Sequence, residues 1–333
     1  MKEFYLYGNN HERLEIKPSF PKKELEKYGF PGAEKFHAMC GKQPILFQTI
    51  KVGEVEIANS DYLVRSNGKF SASSDESCIE IHFLLTGSVQ INLNGFGWTM
   101  LDFGSHNLTT VPFVHSEVYF KSSPVSTFDI HIPEAKFTIL AARYPKIARL
   151  LKAYRAKREA ALKELRIKTN PLMLHLIVQI RIALRAGLEN EPSTIAMVER
   201  LICMVIEEET IEPKNQFSYE DIEKIHTVYL QMGMNMDEKE PLANKIKDIH
   251  INAAKFREGF KLLFGYLPRY FLQEKRLEQA YKLATENRET TVAGIANLCG
   301  YDSSRYLSKA FLKRYGIQLP VILKKNRKKS NKY

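Results

Sequence analysis

Two stretches of this 333-residue chain repeat one another 51 residues apart, and the repeat leaves few folds open to its C-terminal third. Phe256, Phe260-Lys261 and Gly265 precede Leu307, Phe311-Leu312-Lys313 and Gly316 at that spacing. In the second copy, residues 290–299 read as a compact apolar-periodic helix. Gly300 can end it in a left-handed conformation at little steric cost. Asp302 or Ser303 can cap the next helix by accepting from its free backbone N–H groups. Helical spacing then turns Tyr306, Leu307 and Ala310 inward and leaves Ser304, Arg305, Ser308 and Lys309 outside. In the first copy, residues 242–247 make the short helix, Asp248-Ile249-His250-Ile251 the turn, Asn252 the cap and residues 253–264 the second helix. This is the helix-turn-helix pattern, whose second helix supplies base-reading side chains. Between the copies, residues 268–285 form one amphipathic helix with Phe271, Leu277, Ala280, Tyr281 and Ala284 as its apolar stripe. Such a linker can fix the separation of the two units so that both meet one face of a duplex about a turn apart.

Several spaced elements agree over this region. They are Arg276-Leu277-Glu278-Gln279-Ala280, Ile295-Ala296, Gly300-Tyr301, residues 306–311 (Tyr-Leu-Ser-Lys-Ala-Phe), Arg314-Tyr315-Gly316 and Pro320, with Ile246, Phe256, Phe260-Lys261 and Gly265 in register before them. Through them residues 217–323 resemble the DNA-binding domain of the AraC/XylS family of bacterial transcription regulators. The resemblance implies double-stranded DNA as partner, read by Ser303, Ser304, Arg305, Ser308 and Lys309 in the second motif. In the first motif Glu258 stands where many relatives carry a basic residue, and Ala253 and Ala254 replace larger polar groups. Near phosphates a carboxylate repels, so Lys255, Arg257 and Lys261 are expected mostly to hold phosphate.

Charge divides the chain in the same way. Residues 217–333 carry 22 Lys and Arg against 13 Asp and Glu, a net of +9, whereas residues 1–140 carry 13 against 16. A basic surface attracts a polyanion and makes its binding salt-dependent through counterion release. Cys40, Cys78, Cys203 and Cys299 are scattered without metal-type pairing, which fits a reducing compartment. Residues 171–188, the most apolar segment, are broken by His175, Gln179, Arg181 and Arg185, so neither a membrane span nor a leader is expected, and the location is read as cytoplasmic.

The first half follows a period of two rather than 3.6. Residues 44–133 are short β-branched and aromatic segments with turn signals between them. Residues 78–85 read as a strand, Thr86-Gly87-Ser88 as a tight turn, residues 89–93 as a second strand closed by an Asn94-Gly95 turn, and residues 111–120 and 125–132 as further strands. Regular short strands argue for a small antiparallel barrel or sandwich. AraC-type regulators often carry a cupin-like effector domain, and residues 83–89 resemble its first hairpin. Phe113, Phe120, Phe128, Trp98 and Tyr119 could line a ligand space or simply fill the core. His82, His106, His115 and His131 show no His-x-His pair, and Glu80-x-His82 is a single short-range pair, so no metal and no cofactor are expected. No phosphate loop, nucleophile elbow or paired-carboxylate signature stands out, and no enzyme is expected.

The expected fold class is therefore α+β and multidomain. An N-terminal antiparallel β-barrel or sandwich (1–135, cupin-like) precedes a helical connector (136–215). An all-α domain with two helix-turn-helix motifs joined by a linker helix (216–323) follows, then a basic tail (324–333). In the connector, residues 146–167, 172–186 and 194–210 read as helices that either dimerise, as in the family, or brace the barrel. The function expected is sequence-specific DNA-binding transcription regulation under control of a small-molecule effector or partner, by a homodimer that engages RNA polymerase if it activates. Two other readings stay open: a metal-dependent cupin-type enzyme with an attached DNA-binding domain, and a ligand-independent DNA-binding protein.

Overall fold

A computed structural model describes residues 4–8, 12–64, 69–93, 98–162, 167–208, 217–234, 242–286 and 291–330. They fall into two compact units, residues 1–220 and 221–333.

In the first unit the period-two segments become strands: β1 (Phe4–Tyr7), β2 (Ile16–Pro18), β3 (Glu34–Cys40), β4 (Gln43–Val52), β5 (Val55–Tyr62), β6 (Lys69–Ser74), β7 (Cys78–Leu93), β8 (Trp98–Asp102), β9 (Ser105–Val111) and β10 (Val114–His131), with a helix α1 (Lys22–Tyr28) after β2. The short edge strands β11 (Ala160–Ala161) and β12 (Ile167–Lys168) pair with β9. The sheet order is β11-β9-β7-β10-β5-β4-β3-β2, with β6 joining β10 to β1 and β8 flanking β7. All pairs are antiparallel, and the sheet curls into a nearly closed barrel. Leu84, Val89, Phe120 and Val125 meet Ile45, Val64 and Phe70 in its interior core. Alternation puts Ile57, Ile81, Phe83, Phe128 and Ile130 on the opposite face, each fully buried.

The tight turn expected at Thr86-Gly87-Ser88 is absent. β7 runs straight through it, and β10 likewise joins two segments expected to be separate strands. Gly87 adopts φ 78°, and the β10 register shifts between Phe120 and Thr127, so the paired strands bend together instead of turning back. A methyl group at Gly87 would lie 2.5 Å from Val125 Cγ2 and 2.8 Å from the Pro124 carbonyl oxygen. The glycine thus marks a close approach between strands. The Asn94-Gly95 turn lies outside the described residues. The aromatics considered for a ligand space also part company: Phe120 is in the barrel core, Phe128 faces the other way, and Trp98 and Phe113 are exposed.

Among the described residues, four α-helices follow the barrel strands in this unit: α2 (Glu134–Arg143), α3 (Ala148–Arg155), α4 (Pro171–Arg185) and α5 (Pro192–Glu207). The helix expected over residues 146–167 ends at Arg155, because Lys157 at φ 50° breaks the α path and β11 then pairs with β9. α5 packs on β4 and β9. Lys136 of α2 bridges Glu54 and Glu199 at 3.1 and 2.6 Å, and the Tyr144 hydroxyl donates to Glu207 at 2.8 Å. The connector helices therefore brace the barrel.

The second unit is helical: α6 (Tyr219–Met234), α7 (Leu242–Asp248), α8 (Ala253–Phe264), α9 (Pro268–Glu286), α10 (Val292–Leu298), α11 (Ser304–Tyr315) and α12 (Leu319–Ser330). α12 carries the chain as helix through Ser330, where a basic tail was expected from residue 324. No helix among the described residues is long and apolar enough to cross a membrane.

Candidate nucleic-acid interface

Each helix-turn-helix copy is closed by local chemistry. Asn252 caps α8 by accepting from the amides of Ala254 and Lys255, at 2.8 and 3.4 Å. Gly265 ends that helix at φ 82°. In the second copy Thr291 caps α10, Gly300 turns at φ 66°, Ser303 caps α11 by accepting from the Tyr306 amide, and Gly316 ends it at φ 68°. Of the two caps considered for α11, Ser303 is the one used. Each such cap contributes about 1 kcal/mol.

Two small cores hold the copies, and α9 belongs to both. Near its start, Phe271 stacks on Tyr229 and Tyr266 at 4.8 and 5.5 Å, beside Phe256, Phe260 and Phe264 of α8. Further along, Leu277, Ala280 and Ala284 pack with Ile295, Ala296, Cys299, Leu307, Phe311, Leu319 and Leu323. At about 1.5 Å per residue the 19 residues of α9 span about 28 Å. Arg314 of α11 also donates to Glu274 of α9 at 2.6 Å.

What the cores do not cover defines the candidate surface. On α11 the buried stripe is Leu307 and Phe311, while Arg305 and Lys309 are exposed and Ser303, Ser304 and Ser308 are half-buried. Tyr306, expected to point inward, is 69% exposed. The stripe is centred on Leu307, and Tyr306 lies a 100° step away from it. Tyr281 of α9, also expected in a core, is exposed on one side and stacks on Phe311 with the other. On α8, Phe256 and Phe260 are buried, whereas Ala253, Ala254, Arg257, Glu258 and Lys261 are exposed. Lys255 is half-buried and its ammonium pairs with Asp221 of α6 at 2.7 Å.

The sequence model of a family described as a helix-turn-helix domain matches residues 246–321, from the last turn of α7 through α11 into the start of α12. These residues form a helix-turn-helix domain. Among solved structures, this chain is similar to the DNA-binding domain of AdpA, a global transcriptional factor, in complex with a target DNA, at 20% identity over 33% of this chain and 98% of that one, with a TM-score of 0.30. It is also similar to apo ToxT from Vibrio cholerae (12% identity, 81% and 97% covered, TM-score 0.31). A third is the AraC-like transcriptional activator CuxR (10%, 81% and 96%, 0.34). No curated protein sequence matches the chain. The helix-turn-helix domain thus places Arg305 and Lys309 of α11, and Arg257 and Lys261 of α8, on surface its cores leave open.

The barrel of the first unit holds a second constellation. Across β10 and β7, Asp129 faces His82 and His131 faces Glu80, while β5 sets Glu56 opposite His131. His82 Nδ1 lies 2.6 Å from Asp129 Oδ1 and 3.5 Å from Glu80 Oε1. His131 Nδ1 lies 3.3 Å from Glu56 Oε1. Burial alone would lower both imidazole pKa values. The charge and hydrogen bonding of Asp129 and Glu80 instead push His82 up to about 10, and Glu56 with Glu80 and Asp129 push His131 up to about 9. By contrast His106 is buried on the opposite face, stacked on Phe83 and 3.1 Å from Glu208 Oε2. His115 lies elsewhere on β10 and is exposed. The sequence signal that was missed is a second carboxylate-x-His pair, Asp129-x-His131, which only the antiparallel register sets against Glu80-x-His82.

Proposed function

We propose that this protein is a sequence-specific transcription regulator that reads double-stranded DNA with α11 and α8 in successive major-groove segments. The observation that carries this is the exposure of Arg305 and Lys309 along one face of a capped helix whose other face is locked by Leu307 and Phe311. Arg305 is assigned to base edges, where a guanidinium reads guanine bidentately. Ser303, Ser304, Ser308 and Lys309 flank it, and Tyr306 joins them because it points outward. Arg257 and Lys261 are assigned to phosphate, with Lys255 set back by its bond to Asp221. The span of α9, about 28 Å, suits two readers on one side of a duplex whose turn is about 34 Å. The barrel is proposed as the control unit, answering a small-molecule effector or partner and passing on a coupling that must be reciprocal. A cytoplasmic homodimer, touching RNA polymerase if it activates, completes the reading.

Arg305→Ala should weaken binding to the cognate site by about 1–3 kcal/mol and relax selectivity there. Lys261→Ala should weaken all sequences alike and reduce the salt slope by about 1. Competition binding against cognate and scrambled duplexes checks both. Unchanged selectivity in the Arg305 variant would remove it from the reading role.

A further inference from the structure

We propose that the inner face of the barrel binds one first-row divalent transition-metal ion through Glu80, His82 and Asp129. One ligand atom from each of these side chains can be chosen so that all three lie within 4.8 Å of one another. Metal–ligand bonds of about 2.0–2.2 Å to imidazole nitrogen and carboxylate oxygen ask for a slightly tighter set, which rotation of the Glu80 side chain can supply. The backbone beneath does not need to move, because His82 and Asp129 are directly paired residues on adjacent interior strands.

Three further observations favour an ion over a simple ion-pair network. The first is position. The same inward face that carries Leu84 and Val125 in an apolar core turns to His82, Glu80, Asp129, His131 and Glu56 toward one end. The strands thus gather ionisable groups at one end of that face, with Asp129 buried and His82, Glu80 and His131 half-buried around it. The second is orientation. The Asp129 side chain is only 10% exposed, and Thr127 Oγ1 donates to its Oδ2 at 2.9 Å, which aims Oδ1 at His82 and Glu80. Hydrogen-bonded support of a ligating carboxylate is how proteins fix metal ligands. The third is the donor set. One imidazole with two carboxylates, and a second imidazole at His131 across from Glu80, suits zinc, iron, nickel or manganese better than calcium, which prefers six to eight oxygens. The proposal is independent of how the C-terminal domain reads DNA.

The test uses the full chain, stripped with a chelator and then dialysed against zinc chloride. We expect one zinc ion retained per chain, measured by elemental analysis and titration calorimetry. His82→Gln and Asp129→Asn should each weaken binding at least tenfold, while His115→Ala, an exposed imidazole elsewhere on β10, should leave it unchanged. Failure to retain zinc, or retention undiminished in both ligand variants, would overturn the assignment. Since loss of either ligand could unfold the barrel, cobalt(II) added to the unmutated chain gives a second measurement. A visible spectrum of nitrogen- and oxygen-ligated cobalt supports the site, and the spectrum of aqueous cobalt alone overturns it.

Discussion

At the scale of single residues, two side chains on α11 and α8 behave differently from what spacing suggests. Tyr306 and Leu307 are neighbours, yet one is 69% exposed and the other fully buried. Counting apolar residues cannot separate them, since both suit a core. Packing of Leu307 with Ala280, Ala284 and Phe311 decides the rotation of the helix. Lys255 shows the same limit in a charged residue. Its charge is legible, but its bond to Asp221, 34 positions earlier, is not. Lys255→Ala is therefore expected to cost up to about 1 kcal/mol of domain stability, the range for partly exposed pairs. Its loss of DNA affinity should be smaller than that of Lys261→Ala. Denaturant melts beside salt-titrated binding would show it, and equal affinity losses for the two lysines would return Lys255 to phosphate.

At the scale of elements, caps and turns were readable because they depend on neighbours in sequence. Asn252, Ser303, Gly265, Gly300 and Gly316 act where local chemistry places them. Asn252→Ala should destabilise the C-terminal domain by about 1 kcal/mol, checked by the urea midpoint. Gly87 is the instructive opposite. A glycine between two β segments reads as a hairpin turn, but here it lets β7 and β10 bend together. Gly87→Ala should cost more than a cap. Its left-handed φ disfavours a side chain by about 1–2 kcal/mol, and the methyl group would also press on Val125 and Pro124. A loss below about 1 kcal/mol in a thermal or urea melt would contradict that account. The stretch after Arg155 went astray for a related reason: its helix-forming composition yields to pairing with β9, an element some 50 residues away.

At the scale of the whole molecule, the barrel's paired histidines give a pH dependence with a definite sign. His82 and His131 hold their protons to about pH 10 and 9, against 6.5 in the unfolded chain. Their contribution is full below pH 6.5, where both states are protonated. It is lost as pH rises through 9 and 10, because the unfolded state gives up its protons first. Urea midpoints of the metal-free chain should fall from pH 6.5 to 10, and His131→Gln should flatten that fall. A rising midpoint would reverse the assignment. The two-part architecture, the all-α unit with its 51-residue repeat and the antiparallel barrel were all legible in the chain. Periodicity, caps and charge are one-dimensional signals set by residues within a turn or two of each other. Strand register, helix rotation and the meeting of Glu80, His82 and Asp129 belong to the folded molecule alone. They depend on which distant segments pack together, and a change of one residue in register would send those side chains to the opposite face of the sheet.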